Sequence, residues 1–237
     1  MVSVLKPTKK IIESVLVLPD LHAPFIDWPA VWQAHKWAEK HDPQAVVQLG
    51  DLTDQKAWSR WPSDVDDWSP TEEWERVEKD MEKLRKYFPE MFVLMGNHDS
   101  RAATVATSVR IPSQLVKTME EIFSAPGWTW VPRDRQLVFK TDRGDTMFVH
   151  GDEDGGTPIH KATMLGMNVI QGHTHRVSIR YEQVADKWVF GAEMGHLMDI
   201  ASKGARYAAK STRGTCSGFG ILKHGVPYFI IADGGKV

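Results

Sequence analysis

The chain has little cysteine and no long apolar run, and each absence excludes a class of protein. Its 237 residues contain one cysteine, Cys216, so no internal disulfide can form. This excludes a disulfide-stapled extracellular domain and favours a reducing compartment, the cytoplasm. No stretch approaches the roughly 18 consecutive apolar residues of a membrane span. Residues 1–20 also lack the apolar segment and cleavage site of a signal peptide.

An excess of charge of one sign is also absent. The formal net charge is −2, so no bulk basic field attracts the protein to nucleic acid or to an anionic membrane. This disfavours a duplex-binding protein, although a local groove can be basic in a neutral protein. The length and a hydrophobic content of 42% allow a sizeable core. We expect one domain over 1–237, with a Trp-rich loop at 54–70 and a Gly/Ala/Ser-rich segment at 191–217.

Five strand-like apolar runs each end in side chains that bind metals. Five of the ten histidines of the chain lie at these ends. The runs read VLVLPDLH (15–22), AVVQLGDLTD (45–54), MFVLMGNHD (91–99), TMFVHGD (146–152) and NVIQGHTH (168–175). Because loops at strand ends are where rigid scaffolds carry chemistry, we predict that the five ends converge on one site.

The donor types in these loops predict a metal centre. The candidate ligands are Asp20, His22, Asp51, Asn97, His150, His173 and His175. Imidazole, carboxylate and amide donors without a thiolate set suit Mn(II), Fe(II), Ni(II) or Zn(II), and exclude a cysteine-type zinc site. Seven ligands are too many for one ion with an open position, but they suit two ions that share a carboxylate. Asp51, at a strand end, is well placed to bridge them.

The order of the elements predicts a mixed α/β architecture. Early strands alternate with helices, whereas later strands are joined by hairpins, so we expect two packed sheets with helices outside. Helices are expected over 28–41, 71–88, 112–123 and 158–165. Strands are expected over 14–18, 45–49, 91–95, 136–140, 146–149, 168–171, 177–181, 187–190, 220–223 and 228–231.

Five short motifs, in this order, resemble those of the calcineurin-like metallophosphoesterases. They are D-x-H at 20–22, G-D-x-x-D at 50–54, G-N-H-D at 96–99, H-G at 150–151 and G-H-T-H at 172–175. The resemblance spans about residues 14–180, and the ordered set is highly specific. It implies a four-layer αββα sandwich of two mixed sheets flanked by helices, with the metal site at one end of the strands.

The resemblance also implies a role for each motif residue. One metal is held by Asp20, His22 and His175, the other by Asn97, His150 and His173, and Asp51 bridges them. A hydroxide between the metals attacks phosphorus in line. His98 stands near the leaving oxygen as a general acid or charge stabiliser. Asp54 orients that histidine; Asp99 is the disfavoured alternative, because adjacent loop residues usually point apart.

The expected substrate class depends on one residue that differs from the protein phosphatases of the resembled family. Protein Ser/Thr phosphatases of this superfamily carry arginine after the second aspartate of G-D-x-x-D, but here Gln55 follows Asp54. The short chain is more similar to bacterial and phage members that act on phosphodiesters, nucleotides or nucleic acid ends. We therefore expect two divalent metals, with Mn(II) favoured, and a phosphodiester of a nucleotide or nucleic acid as substrate. The alternatives are a phosphomonoesterase acting on small metabolites or phosphoproteins and a non-catalytic binding scaffold.

Four further residues are candidates for binding substrate phosphate. Arg101 and Arg176 flank ligand loops and could clamp a phosphate, with ordinary surface charge as the alternative. His160 and His196 follow ligand loops, with a structural role as the alternative. In the Trp-rich loop, Trp58, Trp61 and Trp68 stack bases, or they form a small local core or a subunit contact.

Overall fold

Two six-stranded sheets form the centre of the structure. The computed structural model describes residues 3–6, 9–59, 67–153, 155–202 and 214–232. The strands are β1 Ser3–Leu5, β2 Ser14–Leu18, β3 Ala45–Gln48, β4 Met91–Leu94, β5 Trp128–Val131, β6 Arg135–Thr141, β7 Gly144–Val149, β8 Asn168–Gln171, β9 Val177–Val184, β10 Lys187–Met194, β11 Gly218–Lys223 and β12 Val226–Ile231. The helices are α1 Trp28–His41, α2 Pro70–Tyr87, α3 Arg101–Ser108, α4 Met119–Phe123 and α5 Pro158–Leu165.

Parallel neighbours lie at the middle of each sheet. The first sheet has the order β12-β11-β2-β3-β4-β5, in which β2 to β5 are mutually parallel and β11 is antiparallel to β2. The second sheet has the order β1-β6-β7-β8-β10-β9, in which β7, β8 and β10 run parallel. The carboxyl ends of parallel neighbours lie at the same edge of a sheet, and all five motif-bearing strands belong to these groups.

The apolar alternation along the strands produces the layers. On β2, Leu16 and Leu18 pack with the buried faces of α1 and α2, whereas Val15 and Val17 pack with residues of the second sheet such as Phe148. Successive side chains of a strand point to opposite faces, so one strand serves both layers. Helix α5 covers the outer face of the second sheet. The predicted αββα sandwich is confirmed.

The helix predictions hold where capping residues mark the helix start. Helix α2 follows Ser69, which forms a reciprocal capping box with Glu72. The helix predicted over 112–123 is wrong, because Thr118 caps a new helix with Glu121 and only α4, Met119–Phe123, follows it. A short 3₁₀ turn, Ser113–Leu115, replaces the first half. Among the described residues, no helix has the length and apolar content to cross a membrane.

Replacing the α2 cap tests this account of its start. Ser69→Ala removes the side-chain acceptor of the Glu72 N–H, and we expect the free energy of unfolding to fall by about 1 kcal/mol in urea denaturation. Ser108→Ala, at the exposed end of α3, is the matched control and should change it much less. An equal effect of the two substitutions would contradict the capping role.

Candidate metal centre

The motif residues meet where the two sheets end side by side. Asp20 and His22 follow β2, Asp51 follows β3 and Asn97 follows β4, all in the first sheet. From the second sheet, His150 follows β7, while His173 and His175 follow β8. The convergence expected from the sequence is therefore present in the fold.

The backbone of this region is strained at the motif residues themselves. Positive φ angles, which side chains with a Cβ rarely adopt, occur at five of the seven candidate ligands. They are Asp20 (30°), His22 (50°), Asp51 (52°), His173 (69°) and His175 (59°). Strain of this kind persists only where the surroundings impose it, and it is concentrated at functional sites.

A glycine in the G-N-H-D loop allows a close approach within the site. A Cβ added at Gly96 would clash with both the carboxylate and the backbone nitrogen of Asp51. That approach lets the His98 backbone N–H donate to Asp51 Oδ1 at 2.8 Å. Gly96 therefore fixes the orientation of the Asp51 carboxylate, and this accounts for the glycine in the motif.

The first cluster of ligand atoms comprises Asp20, His22 and His175. One ligand atom from each lies within 4.8 Å of the other two. His22 Nε2 and His175 Nε2 face each other at 3.1 Å. The His173 N–H donates to both Asp20 oxygens, at 2.9 and 3.1 Å, and so holds the carboxylate in place. Two imidazoles and a carboxylate thus converge on one point.

The second cluster comprises Asp51, His150 and His173, again with ligand atoms within 4.8 Å of one another. The Asn97 amide oxygen lies 3.0 Å from His150 Nε2 and joins this group. Asp51 Oδ2 is 3.2 Å from His150 Nε2 and 3.8 Å from His22 Nε2. Asp51 therefore faces both clusters, as a bridging carboxylate would.

The donor set and its electrostatics fit a pair of cations. Burial is the main cause that raises the pKa of Asp20 to about 8, since the protein groups around it do not offset the cost of desolvating its charge. Burial, followed by the neighbouring His22 and His196, lowers the pKa of His175 to about 2 and keeps it neutral. A metal ligand must be a carboxylate or a neutral imidazole, and a bound cation would favour both forms.

Asp51 and His150 form the most strongly interacting pair of the second cluster. Burial alone would lower the pKa of His150, but the charge and hydrogen bond of Asp51 outweigh it and raise this pKa to about 10. Burial would raise the pKa of Asp51, but the charges of His150 and His98 outweigh it and hold this pKa well below its usual range. The carboxylate therefore remains ionised, which suits a bridging ligand.

Asp54 links the first cluster to His98. Its Oδ1 accepts from His98 Nδ1 at 2.7 Å and from His22 Nδ1 at 2.8 Å. These bonds outweigh burial and hold the pKa of Asp54 below its usual range. On the other side of the ring, Arg101 Nη2 lies 2.9 Å from His98 Nε2. Burial would lower the pKa of His98, but the charges of Asp51 and Asp54 raise it.

Asp99 has a separate, structural position. Its carboxylate accepts from the backbone N–H groups of Leu52, Thr53 and Gly96 at 2.8 to 3.2 Å, and from the Thr53 hydroxyl. It thereby fastens the G-D-x-x-D loop to the G-N-H-D loop. Among the described hydrogen bonds, Asp54 is the carboxylate that binds the His98 side chain.

The other substrate-binding candidates lie at different distances from the clusters. Arg101 contacts His98, as described above. His196 is fully buried, its ring centroid 5.4 Å from that of His175, so its ring does not reach solvent. His160 lies exposed in the first turn of α5, and no described contact joins it to either cluster. Arg176 follows His175, and its Nε is buried without a hydrogen-bond partner among the described residues.

The Trp-rich loop is described in part. Trp68 stacks on Phe25 at 5.4 Å between ring centroids and lies under the guanidinium of Arg76. Trp58 meets Trp74 edge-on at 6.4 Å. Trp61 lies outside the described residues. For Trp68, these contacts agree with the local-core alternative.

A cleft beside His150 contains residues that the sequence did not single out as candidates. This cleft, of about 120 Å³, is lined by His150, Asp152, Arg133 and Lys161. Arg133 pairs with Asp152, and its Nε lies 3.1 Å from Glu153 Oε1. Arg133 comes from the β5–β6 turn, which carries no motif, so only the folded chain brings it to the site.

The match to a family model identifies the chain. The model of the calcineurin-like phosphoesterases matches residues 14–200, which include every motif residue described above. The chain belongs to the calcineurin-like phosphoesterase family. This phosphoesterase is therefore a hydrolase of phosphoester bonds from a metal-dependent family.

Relatives of this phosphoesterase include two phage proteins. The Gene 54 protein of Mycobacterium phage L5 is 25% identical, with 94% of each chain covered. Its namesake in Mycobacterium phage D29 is 26% identical at the same coverage. Among solved structures, the phosphoesterase YfcE from E. coli aligns over 93% of both chains with a TM-score of 0.49 and 14% identity. A metallophosphoesterase from Sphaerobacter thermophilus aligns over 94% of this chain and 89% of its own, with a TM-score of 0.44 and 12% identity.

Gly96→Ala tests whether the close approach of Gly96 to Asp51 is needed for metal binding. We expect Mn(II) affinity to fall by about 10- to 100-fold, the usual cost of disturbing the support of a ligand, as measured by isothermal titration calorimetry. Gly214→Ala is the matched control, because a Cβ there meets open space, and it should bind as the wild type does. Unchanged affinity in Gly96→Ala would refute this role of the glycine.

Proposed function

We propose that this phosphoesterase holds two divalent metal ions, Mn(II) in the first instance, and hydrolyses phosphodiesters of nucleotides or nucleic acids. The observation that carries the proposal is that the two ligand clusters described above lie on either side of Asp51, whose carboxylate faces His22 of one and belongs to the other. One ion would use the ligands of one cluster and leave the ligands of the other cluster without an ion. Nitrogen and oxygen donors of this mixture suit Mn(II), with Fe, Ni or Zn as alternatives.

Each ion has its own set of residues. Asp20, His22 and His175 would hold one ion, and Asn97, His150 and His173 would hold the other, with Asp51 shared. When bound, the two ions would neutralise charge on the phosphate and lower the pKa of a coordinated water. The chain supplies the fixed geometry, because backbone N–H groups orient Asp20 and Asp51.

His98 is the proposed proton donor to the leaving oxygen. Asp54 binds Nδ1 and fixes the ring, so that Nε2 is the nitrogen available to substrate. Arg101 contacts Nε2 in the absence of substrate, and a phosphate anion would attract its guanidinium away. Arg101 then binds a phosphate oxygen while His98 faces the leaving group.

The preference for a diester follows from charge. A monoester dianion carries more negative charge than a diester and needs more cationic contacts. Gln55 is neutral, and its amide is turned inward, donating to the Asp99 carbonyl and accepting from the Ala102 N–H. No arginine side chain occupies this position. The observation that favours the alternative, a phosphomonoesterase, is Arg101 beside His98, which could bind the second charge.

The proposed cellular location of the enzyme rests on its cysteine. Cys216 is a free thiol and is only partly buried. An unpaired thiol of this kind is typical of a reducing compartment, so we propose that the enzyme acts in the cytoplasm. The phosphoester substrate is its proposed partner.

A substrate panel tests the proposed reaction. The Mn(II)-loaded enzyme is incubated with bis-p-nitrophenyl phosphate, p-nitrophenyl phosphate, cyclic nucleotides, and linear and duplex DNA. We expect turnover of the diester and of at least one nucleotide substrate, and its loss on chelation. Turnover of the monoester alone would favour the phosphatase. No turnover with Mn, Fe, Ni or Zn would leave only the scaffold alternative.

His98→Ala separates proton transfer from metal binding. We expect both metals to remain while kcat for DNA or a nucleotide diester falls about 10²- to 10⁴-fold, the usual contribution of a general acid. Metal content by mass spectrometry and kcat are measured on the same sample. His224→Ala, at an exposed turn, is the matched control. A loss of metal in His98→Ala would mean that His98 is itself a ligand.

A further inference from the structure

A large apolar cavity lies beside the metal centre, under α3. Its volume is about 760 Å³, within the range of small-molecule sites. Helices α2 and α4 and the ends of β4 and β5 form the other walls. Helix α3 has no buried residue, so it covers this space without filling it.

Three indole side chains contribute to the walls of the cavity. Trp58, Trp74 and Trp130 line it, together with the Met119 side chain. Phe123 stacks between Trp74 and Trp130, with centroid distances of 5.5 and 6.2 Å and nearly parallel rings. These contacts hold the indoles in fixed orientations, so the wall offers rigid aromatic surface to an occupant.

The faces of the indoles are what this wall offers to an occupant. The Trp130 indole N–H is buried and has no hydrogen-bond partner among the described residues, but it is not exposed to the cavity. A flat heterocyclic base stacks on indole rings, whereas an aliphatic chain gains no stacking.

The cavity adjoins the metal centre at two places. Asp99 and Ser100, which line it, directly follow His98 along the chain. Met95 and Pro132 line both the cavity and the cleft that contains His150. One molecule with a phosphate at the centre and a ring in the cavity therefore meets a continuous surface.

We propose that this cavity binds the nucleobase of the substrate. The inference rests on the proposed function, because it assumes that a phosphoester sits at the metal centre. Stacking on the tryptophans would provide affinity for a base with little dependence on its identity. The enzyme would then recognise the base of its substrate as well as the phosphate.

Binding of two phosphates that differ only by the base tests the proposal. Isothermal titration calorimetry of the Mn(II)-loaded full chain compares deoxyadenosine 5′-monophosphate with 2-deoxyribose 5-phosphate. We expect the nucleotide to bind at least about tenfold more tightly, as a stacked base allows. Ala103→Trp, which fills the cavity from the exposed helix α3, should reduce the ratio to about one. Thr104→Trp, exposed on the same helix but outside the lining, should leave it unchanged.

A second variant and a separate assay make each outcome decisive. Trp58→Leu removes one of the indoles that line the cavity, and it should lower the ratio several-fold. Equal binding of the two ligands by the wild type, or an unchanged ratio in Ala103→Trp, would overturn the proposal. Tighter binding of dodecyl phosphate would make the cavity an acyl site instead. Hydrolysis of bis-p-nitrophenyl phosphate is measured in parallel, so failure of the proposed reaction is recognised independently.

Discussion

The burial of four carboxylates at one end of the strands is the constraint on which the site depends. Asp20, Asp51, Asp54 and Asp99 are each no more than 3% exposed. Removing a carboxylate from water is costly unless hydrogen bonds or opposite charges compensate for it. Imidazoles serve Asp54, and backbone N–H groups serve Asp99, but Asp20 has only the His173 N–H among its described hydrogen bonds. The hydrogen bonds of Asp20 therefore do not offset the cost of its burial, and ligand atoms converge around Asp51. Bound cations would stabilise the buried charge at both places.

The backbone conformation of the loops brings these side chains together. Left-handed φ angles at five candidate ligands bring short loops back over the strand ends, where their side chains converge. Gly96 lacks the Cβ that would clash with Asp51 and so allows the G-N-H-D loop to approach it. The two sheets, packed through an apolar layer, hold these loops against each other. Strain is thus confined to the loops, while the strands supply stability.

Local patterns in the sequence were sufficient to predict the strand ends and the motif residues, because an apolar run and the glycine that ends it span only a few residues. They were not sufficient to predict contacts that depend on the packing of the whole chain. Arg133 reaches Asp152 through sheet pairing, and the aromatic cavity combines residues from α2, α4 and β5. The failure over 112–123 has a local cause, since the Thr118–Glu121 capping box outweighed the amphipathic pattern before it.

The central claim is that one carboxylate, Asp51, joins two metal subsites. Electron paramagnetic resonance of the wild-type enzyme, chelated and then titrated with Mn(II), tests it most directly. We expect two Mn(II) to bind per chain and their signals to show exchange coupling, because a shared carboxylate holds them close together. Binding of one Mn(II) per chain, or of two with the signal of isolated ions, would contradict it.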